Sequence, residues 1–165
     1  MTFESYLIES LLYTNGAYVS VQVVADNDGV QEIQHQCREL LNIGLDIYNL
    51  HCTLIYSSKP FNINTNLHID SKRVFQGKIK EFKVWTDKNK SYFGIILDSD
   101  EIIAEHKRLM TYDFIYDYPS FMPHITIEYD TKLTNDMLNS INEYFKNKDY
   151  VLLLNNEKLE PLKIM

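Results

Sequence analysis

Apolar residues recur with two periods along the chain, and the switches between them mark its elements. Phe3, Leu7 and Leu11 repeat every fourth residue, which predicts a short amphipathic helix ending near Asn15-Gly16. Ala17–Ala25 is rich in valine and reads as a strand. The turn Asp26-Asn27-Asp28-Gly29 leads into a helix with Ile33, Cys37, Leu40 and Leu41 on one face, stopped by Gly44. His51–Ser57 is a further strand, and after a polar loop Arg73–Thr86 and Ser91–Asp98 form two strands joined by the turn Asp87-Lys88-Asn89-Lys90. Ser99 then caps a helix bearing Ile102, Ile103, Leu109 and Met110. An aromatic loop from Tyr112 to Pro123 precedes a strand from His124 to Tyr129. Thr134 caps a long helix through Phe145, and strands around Tyr150–Leu154 and Lys158–Ile164 close the chain.

The order is strand–helix–strand, a hairpin, then helix–strand–helix–strand. It reads as α+β, or as two similar α/β lobes facing each other. No Pro-, Ser- or Gly-rich linker divides residues 1–165, so a single domain is expected.

Charge narrows the partners. The net charge of −7 argues against a grip on long RNA or DNA, which needs a basic face to neutralise phosphates. It remains compatible with a small anionic ligand in one locally positive pocket. Twelve tyrosines outnumber 8 phenylalanines, and such rings suit half-buried surfaces where a face packs and a hydroxyl stays wet. Glu4 and Glu9 interrupt the first apolar residues, so no secretory signal is expected, nor does any apolar run approach the roughly 18 residues of a membrane helix. The two cysteines, Cys37 and Cys52, resemble neither a disulfide framework nor a metal site. These features predict a soluble protein of a reducing cytoplasm.

Two segments match when the chain is compared with itself: His51-Cys52-Thr53-Leu54-Ile55-Tyr56 and His124-Ile125-Thr126-Ile127-Glu128-Tyr129. Both read H-x-T-apolar-x-Tyr. From the residue frequencies, roughly 0.1 chance matches to H-x-T-apolar are expected, so two copies demand an explanation. In a strand, residues i and i+2 share a face. His51 and Thr53 therefore point one way while Cys52, Leu54 and Tyr56 face the core. The second copy places His124 and Thr126 outward, with Ile125, Ile127 and Tyr129 inward. Two such strands across a groove offer two imidazoles and two hydroxyls to one ligand.

That set suits phosphoryl chemistry on ribose. One neutral histidine removes a proton from a 2′-hydroxyl or a water, and the other, protonated, gives one to the leaving oxygen. Threonine hydroxyls donate to the non-bridging oxygens, where transition-state charge concentrates. No metal or other cofactor is needed. The neighbours of both histidines are threonines rather than carboxylates, and neither H-x-H nor H-E-x-x-H occurs. His35, His68 and His106 sit in no motif and read as surface groups.

The paired motifs resemble those of the 2H phosphoesterase superfamily, which implies two related α/β lobes around a central groove. Within it the chain is most similar to the bacteriophage anti-CBASS phosphodiesterases. The stretches that carry this are Gly16-Ala17-Tyr18, Leu50-His51-Cys52-Thr53-Leu54, Tyr118-Pro119-Ser120-Phe121-Met122-Pro123-His124-Ile125-Thr126, and the tail from Glu157 to Leu162. The resemblance implies a metal-independent hydrolase that cuts 3′–5′ linkages of cyclic di- and trinucleotides such as cyclic GMP–AMP in the host cytoplasm, with His51, Thr53, His124 and Thr126 as its catalytic set. Substrate-binding candidates are Tyr18, a platform for a nucleobase or else a sheet-packing residue, and Trp85, the only tryptophan, a second platform or else a core residue; Glu157 matches a tail position of the family and is a ligand contact or else a solvated glutamate. The loop 112–121 would be a lid beside His124, or else its rings simply pack. The competing expectations are a phosphodiesterase of RNA ends or 2′–5′ oligonucleotides, a non-catalytic sponge for cyclic nucleotides, and a purely structural protein.

Overall fold

The computed structural model describes residues 16–59 and 66–162. The helix expected over Phe3–Asn15 and the last residues of the expected terminal strand lie outside them. Among the described residues are six strands and three α-helices: β1 (Ala17–Val23), α1 (Asp28–Leu41), β2 (His51–Ser57), β3 (Phe75–Asp87), β4 (Lys90–Asp98), α2 (Asp100–Leu109), β5 (His124–Tyr129), α3 (Asn135–Phe145) and β6 (Val151–Pro161). The class is mixed α and β, as the sequence indicates. None of these helices is long and apolar enough to cross a membrane.

All the strand pairs are antiparallel, in the order β1-β2-β5-β4-β3-β6, and β6 pairs back onto β1 to close the sheet. The narrowest seam is β2–β5, joined through Cys52 and Ile125. Both residues are fully buried. The arrangement has an internal echo: β1-α1-β2 and β4-α2-β5 are each an antiparallel pair bridged by a helix, and they meet at that seam.

Local chemistry accounts for most boundaries. Asn27 caps α1 by accepting from the Gly29 and Val30 amides, and Thr134 caps α3 by accepting from Met137. α1 ends at Asn42, left-handed with φ 54°, whose amide reaches back to Arg38 while Ile43 reaches Cys37. This cap ends the helix before Gly44, the expected stop. Its buried face uses Val30, Ile33, Gln36, Cys37 and Leu41, while Leu40 is exposed. Lys88 and Asn89 both adopt positive φ, the two-residue hairpin turn that matches strand twist. The two expected terminal strands are one, because Asn156 at φ 55° lies in a bulge that lets polar residues stay within the ladder.

Ser99 ties α2 to β3. Its hydroxyl donates to the Gln76 carbonyl at 2.6 Å and accepts from the Ile102 amide at 3.2 Å, in a nearly fully buried position. Ser99→Ala should lower stability by about 1–2 kcal/mol, read as a lower denaturant midpoint at unchanged slope.

Candidate active site

Both H-x-T segments face one cavity of about 1170 Å³. That exceeds the roughly 300–1,000 Å³ of a small-molecule site, so a bulky ligand fits. The antiparallel register about Cys52 and Ile125 sets His51 beside Thr126 and Thr53 beside His124. The four side chains sequence reasoning singled out are thus brought together from two adjacent strands.

Each imidazole is anchored in the same way. His51 Nδ1 lies 3.1 Å from the Asn49 carbonyl, and His124 Nδ1 lies 2.9 Å from the Met122 carbonyl. A carbonyl only accepts, so Nδ1 carries the proton in both rings. The other nitrogen, Nε2, is left as a bare base when the ring is neutral and as an acid when it is charged. His124 is further held by the edge of Trp85, with ring centroids 5.1 Å apart.

The tyrosine of each copy does not point into the core, which corrects the sequence expectation for Tyr56 and Tyr129. Both line the cavity. The reason is a pair of β-bulges. Between β1 and β2, Val19 pairs with Ile55 but Ser20 pairs with Thr53, leaving Leu54 as an extra residue. Between β4 and β5, Phe93 pairs with Glu128 but Gly94 pairs with Thr126, leaving Ile127 extra. A bulge reverses the alternation beyond it, so Tyr56 and Tyr129 emerge on the side of their histidine and threonine. The bulges occupy the same place in both motifs. Gly94 permits the second: a Cβ there would lie 2.2 Å from the Ile125 carbonyl oxygen and 2.8 Å from the Trp85 ring.

Tyr18 and Trp85 also line the cavity. Tyr18 donates to Glu160 at 2.9 Å, and burial with that carboxylate pushes its phenol pKa up. Trp85 lies 6.1 Å from Tyr92 between ring centroids. The lining brings Lys59, Lys83 and Lys88 against Asp87 and Asp117, so a cationic excess sits in an acidic chain. Among the described residues no group of three or more His, Cys, Asp or Glu side chains could hold a metal ion.

The loop after α2 forms one wall, with Ile115, Tyr116, Tyr118 and Met122 on the cavity. It is pinned to the end of β2: the Asp117 amide donates to the Tyr56 carbonyl at 3.1 Å, and the Ser58 amide donates to Asp117 at 3.0 Å. Behind it lies His106, which is buried rather than a surface group; His35 and His68 are exposed. His106 stacks on Phe121 at 4.0 Å between centroids and donates from Nδ1 to the bulged Leu54 carbonyl at 2.6 Å. Burial lowers its pKa, keeping the ring neutral.

Glu157 lies elsewhere. It does not line the cavity; its side chain is fully buried beside Glu105 of α2, with Arg108 at 3.7 Å. The sequence assignment of Glu157 to substrate is therefore corrected: facing inward next to the β6 bulge, it belongs to a buried carboxyl pair. Burial and the neighbouring Glu105 push its pKa up to about 8. Burial would also raise Glu105, but hydrogen bonds from Arg108 and Glu157 outweigh this and lower it. One shared proton accounts for Glu157 Oε2, buried with no other donor in reach: protonated, it donates to Glu105.

Comparison with known proteins adds a family. The model of the family described as "Anti-CBASS protein Acb1" matches residues 15–164. The anti-CBASS protein Acb1 of Vibrio phage KVP40 is 24% identical over 156 residues, covering 91% of this chain and 99% of that protein.

A carboxyl whose folded pKa is raised stabilises the fold fully at low pH and loses that contribution as pH rises through the folded value. The melting temperature should therefore fall as pH rises from about 4.5 to about 8 and level off above that. Glu157→Gln, which keeps the donor without titrating, should flatten that fall; thermal melts across the range check it.

Proposed function

The chain belongs to the anti-CBASS protein Acb1 family, and from that premise we propose that it is a 2H-type, metal-independent phosphodiesterase. Its substrates are cyclic di- and trinucleotide signals with 3′–5′ linkages, such as cyclic GMP–AMP, and its work in the host cytoplasm is to let a phage evade CBASS immunity. The observation that carries this reading is the pairing of two H-x-T copies on adjacent strands, each imidazole anchored through Nδ1 to the carbonyl two residues back. A binding protein has no need of that duplication. The two β–helix–β units serve as the two lobes of one domain, with the groove between them.

The mechanism follows from the donors present. The 2′-hydroxyl beside a scissile 3′–5′ linkage attacks phosphorus as Nε2 of one histidine takes its proton. Nε2 of the other, protonated histidine supplies the proton to the departing 5′-oxygen. Thr53 and Thr126 donate to the two non-bridging oxygens as negative charge builds there. The ring opens to a 2′,3′-cyclic phosphate, which water converts to a 3′-phosphate with the histidine roles reversed. Lys59, Lys83 and Lys88 attract the dianionic ligand, while the negative remainder of the surface disfavours long polynucleotides.

Incubation with 3′,3′-cyclic GMP–AMP in EDTA should yield linear products ending in a cyclic or 3′-phosphate, resolved by chromatography and mass spectrometry. Ligand bound but left intact would replace the enzyme with a sponge; ligand neither bound nor cut would redirect the search to RNA ends and 2′–5′ oligonucleotides. His51→Ala and His124→Ala should each lower kcat by about 10²–10⁴-fold at unchanged melting temperature. The double variant should be little worse than either, because groups that act as a unit are not additive. Small, additive losses would remove the acid–base pair from the mechanism.

A further inference from the structure

Tyr56 and Tyr129 are not explained by acid–base chemistry, yet both are turned into the cavity by the same device. Regular alternation would bury each ring beneath its strand. A bulge breaks the local ladder, and two separate strands carry one at the fourth position of the motif, Leu54 and Ile127. The first is secured by the His106 hydrogen bond to the Leu54 carbonyl. Bulges re-aim side chains, and the chain re-aims the same one twice.

The surroundings of the two rings match. Tyr56 lies across the ladder from Tyr18, and Tyr129 across from Tyr92. Tyr56 continues through Tyr118 at 6.2 Å to Tyr116, and Tyr129 through Tyr92 at 5.5 Å to Trp85. Tyr129 is 63% exposed, so it has an open surface that core packing would not leave. Because β2 and β5 run antiparallel from the Cys52–Ile125 pair, the tyrosines lie in opposite directions along the strands, each four residues from that pair. At about 3.3 Å per residue that is roughly 13 Å, shortened by the bulge. The histidine–threonine set thus sits midway between two aromatic walls.

We infer that Tyr56 and Tyr129 are a two-fold-related pair of substrate contacts, each presenting its ring to the nucleoside on its own side of the scissile phosphate. This rests on the cyclic-nucleotide reading of the cavity and deepens it. The ligand that fits carries a base on both sides of the reacting phosphate, and a mononucleotide ester occupies only one wall. Stacking is indifferent to base identity, so the pair confers affinity without sequence preference.

Tyr56→Ala and Tyr129→Ala should each raise KM for cyclic GMP–AMP about 5- to 100-fold with kcat within about threefold, and Phe at either position should restore it. Calorimetric Kd on the slow-cleaving His51→Ala background should move in parallel, with melting temperatures unchanged. A linear 3′–5′ dinucleotide with one base removed should become insensitive to one tyrosine and remain sensitive to the other. Alanine variants with KM and Kd within twofold of wild type would overturn the pair, as would losses seen in melting temperature that Phe does not rescue. If wild type binds cyclic GMP–AMP without cutting it, the hydrolase reading fails and the pair is judged by Kd alone. If it neither binds nor cuts, both fail.

Discussion

The single backbone pairing of Cys52 with Ile125 joins β2 to β5 at the narrowest seam of the closed sheet, and the candidate site depends on where it falls. One residue on either side of each partner is a histidine or a threonine. Any other register would separate the four groups or turn half of them away from the cavity, since a one-residue slip exchanges the faces of a strand. Two fully buried side chains define the seam, so hydrophobic burial positions the polar chemistry around it. Burial also keeps Cys52 inert, with its thiol pKa pushed up to about 12.

Support for this seam comes from behind it. α2 lies against β2 and β3, and from it His106 reaches the Leu54 carbonyl while Phe121 of the following loop stacks on the same imidazole. One buried, neutral ring thereby links the bulge, the helix and the loop that walls the cavity. Protonating it would place a charge among Tyr116, Phe121 and the core, and its lowered pKa reflects that cost. Farther along α2, Glu105, Arg108 and Glu157 connect the helix to β6. Two carboxyls sharing a proton beside a guanidinium make a compact polar joint, where two buried anions would repel.

The cavity divides its labour by element. Strands carry the histidines and threonines, and a site built on strands is held more precisely than one built on loops. The aromatic surfaces are shared between the β3–β4 hairpin, with Trp85 and Tyr92, and the pinned loop, with Tyr116 and Tyr118. Flat rings tolerate small displacements of a base better than a hydrogen bond does, and a loop is an adequate platform for them.

Much of this was legible without coordinates. Periodicity located most of the described strands and helices, Ser99 and Thr134 announced their caps, and the repeated H-x-T singled out four side chains that the fold brings together, because those signals depend on neighbours a few residues away. What escaped was non-local. The inward assignment of Tyr56 and Tyr129 failed because a bulge is a property of two paired strands, and no pattern within one strand reports it. His106 looked solvated and Glu157 looked like a ligand contact because burial depends on what packs from other parts of the chain. The sequence by itself determined which groups can do chemistry. Only the tertiary structure decided which of them share a cavity, since register, bulges and burial arise where distant segments meet.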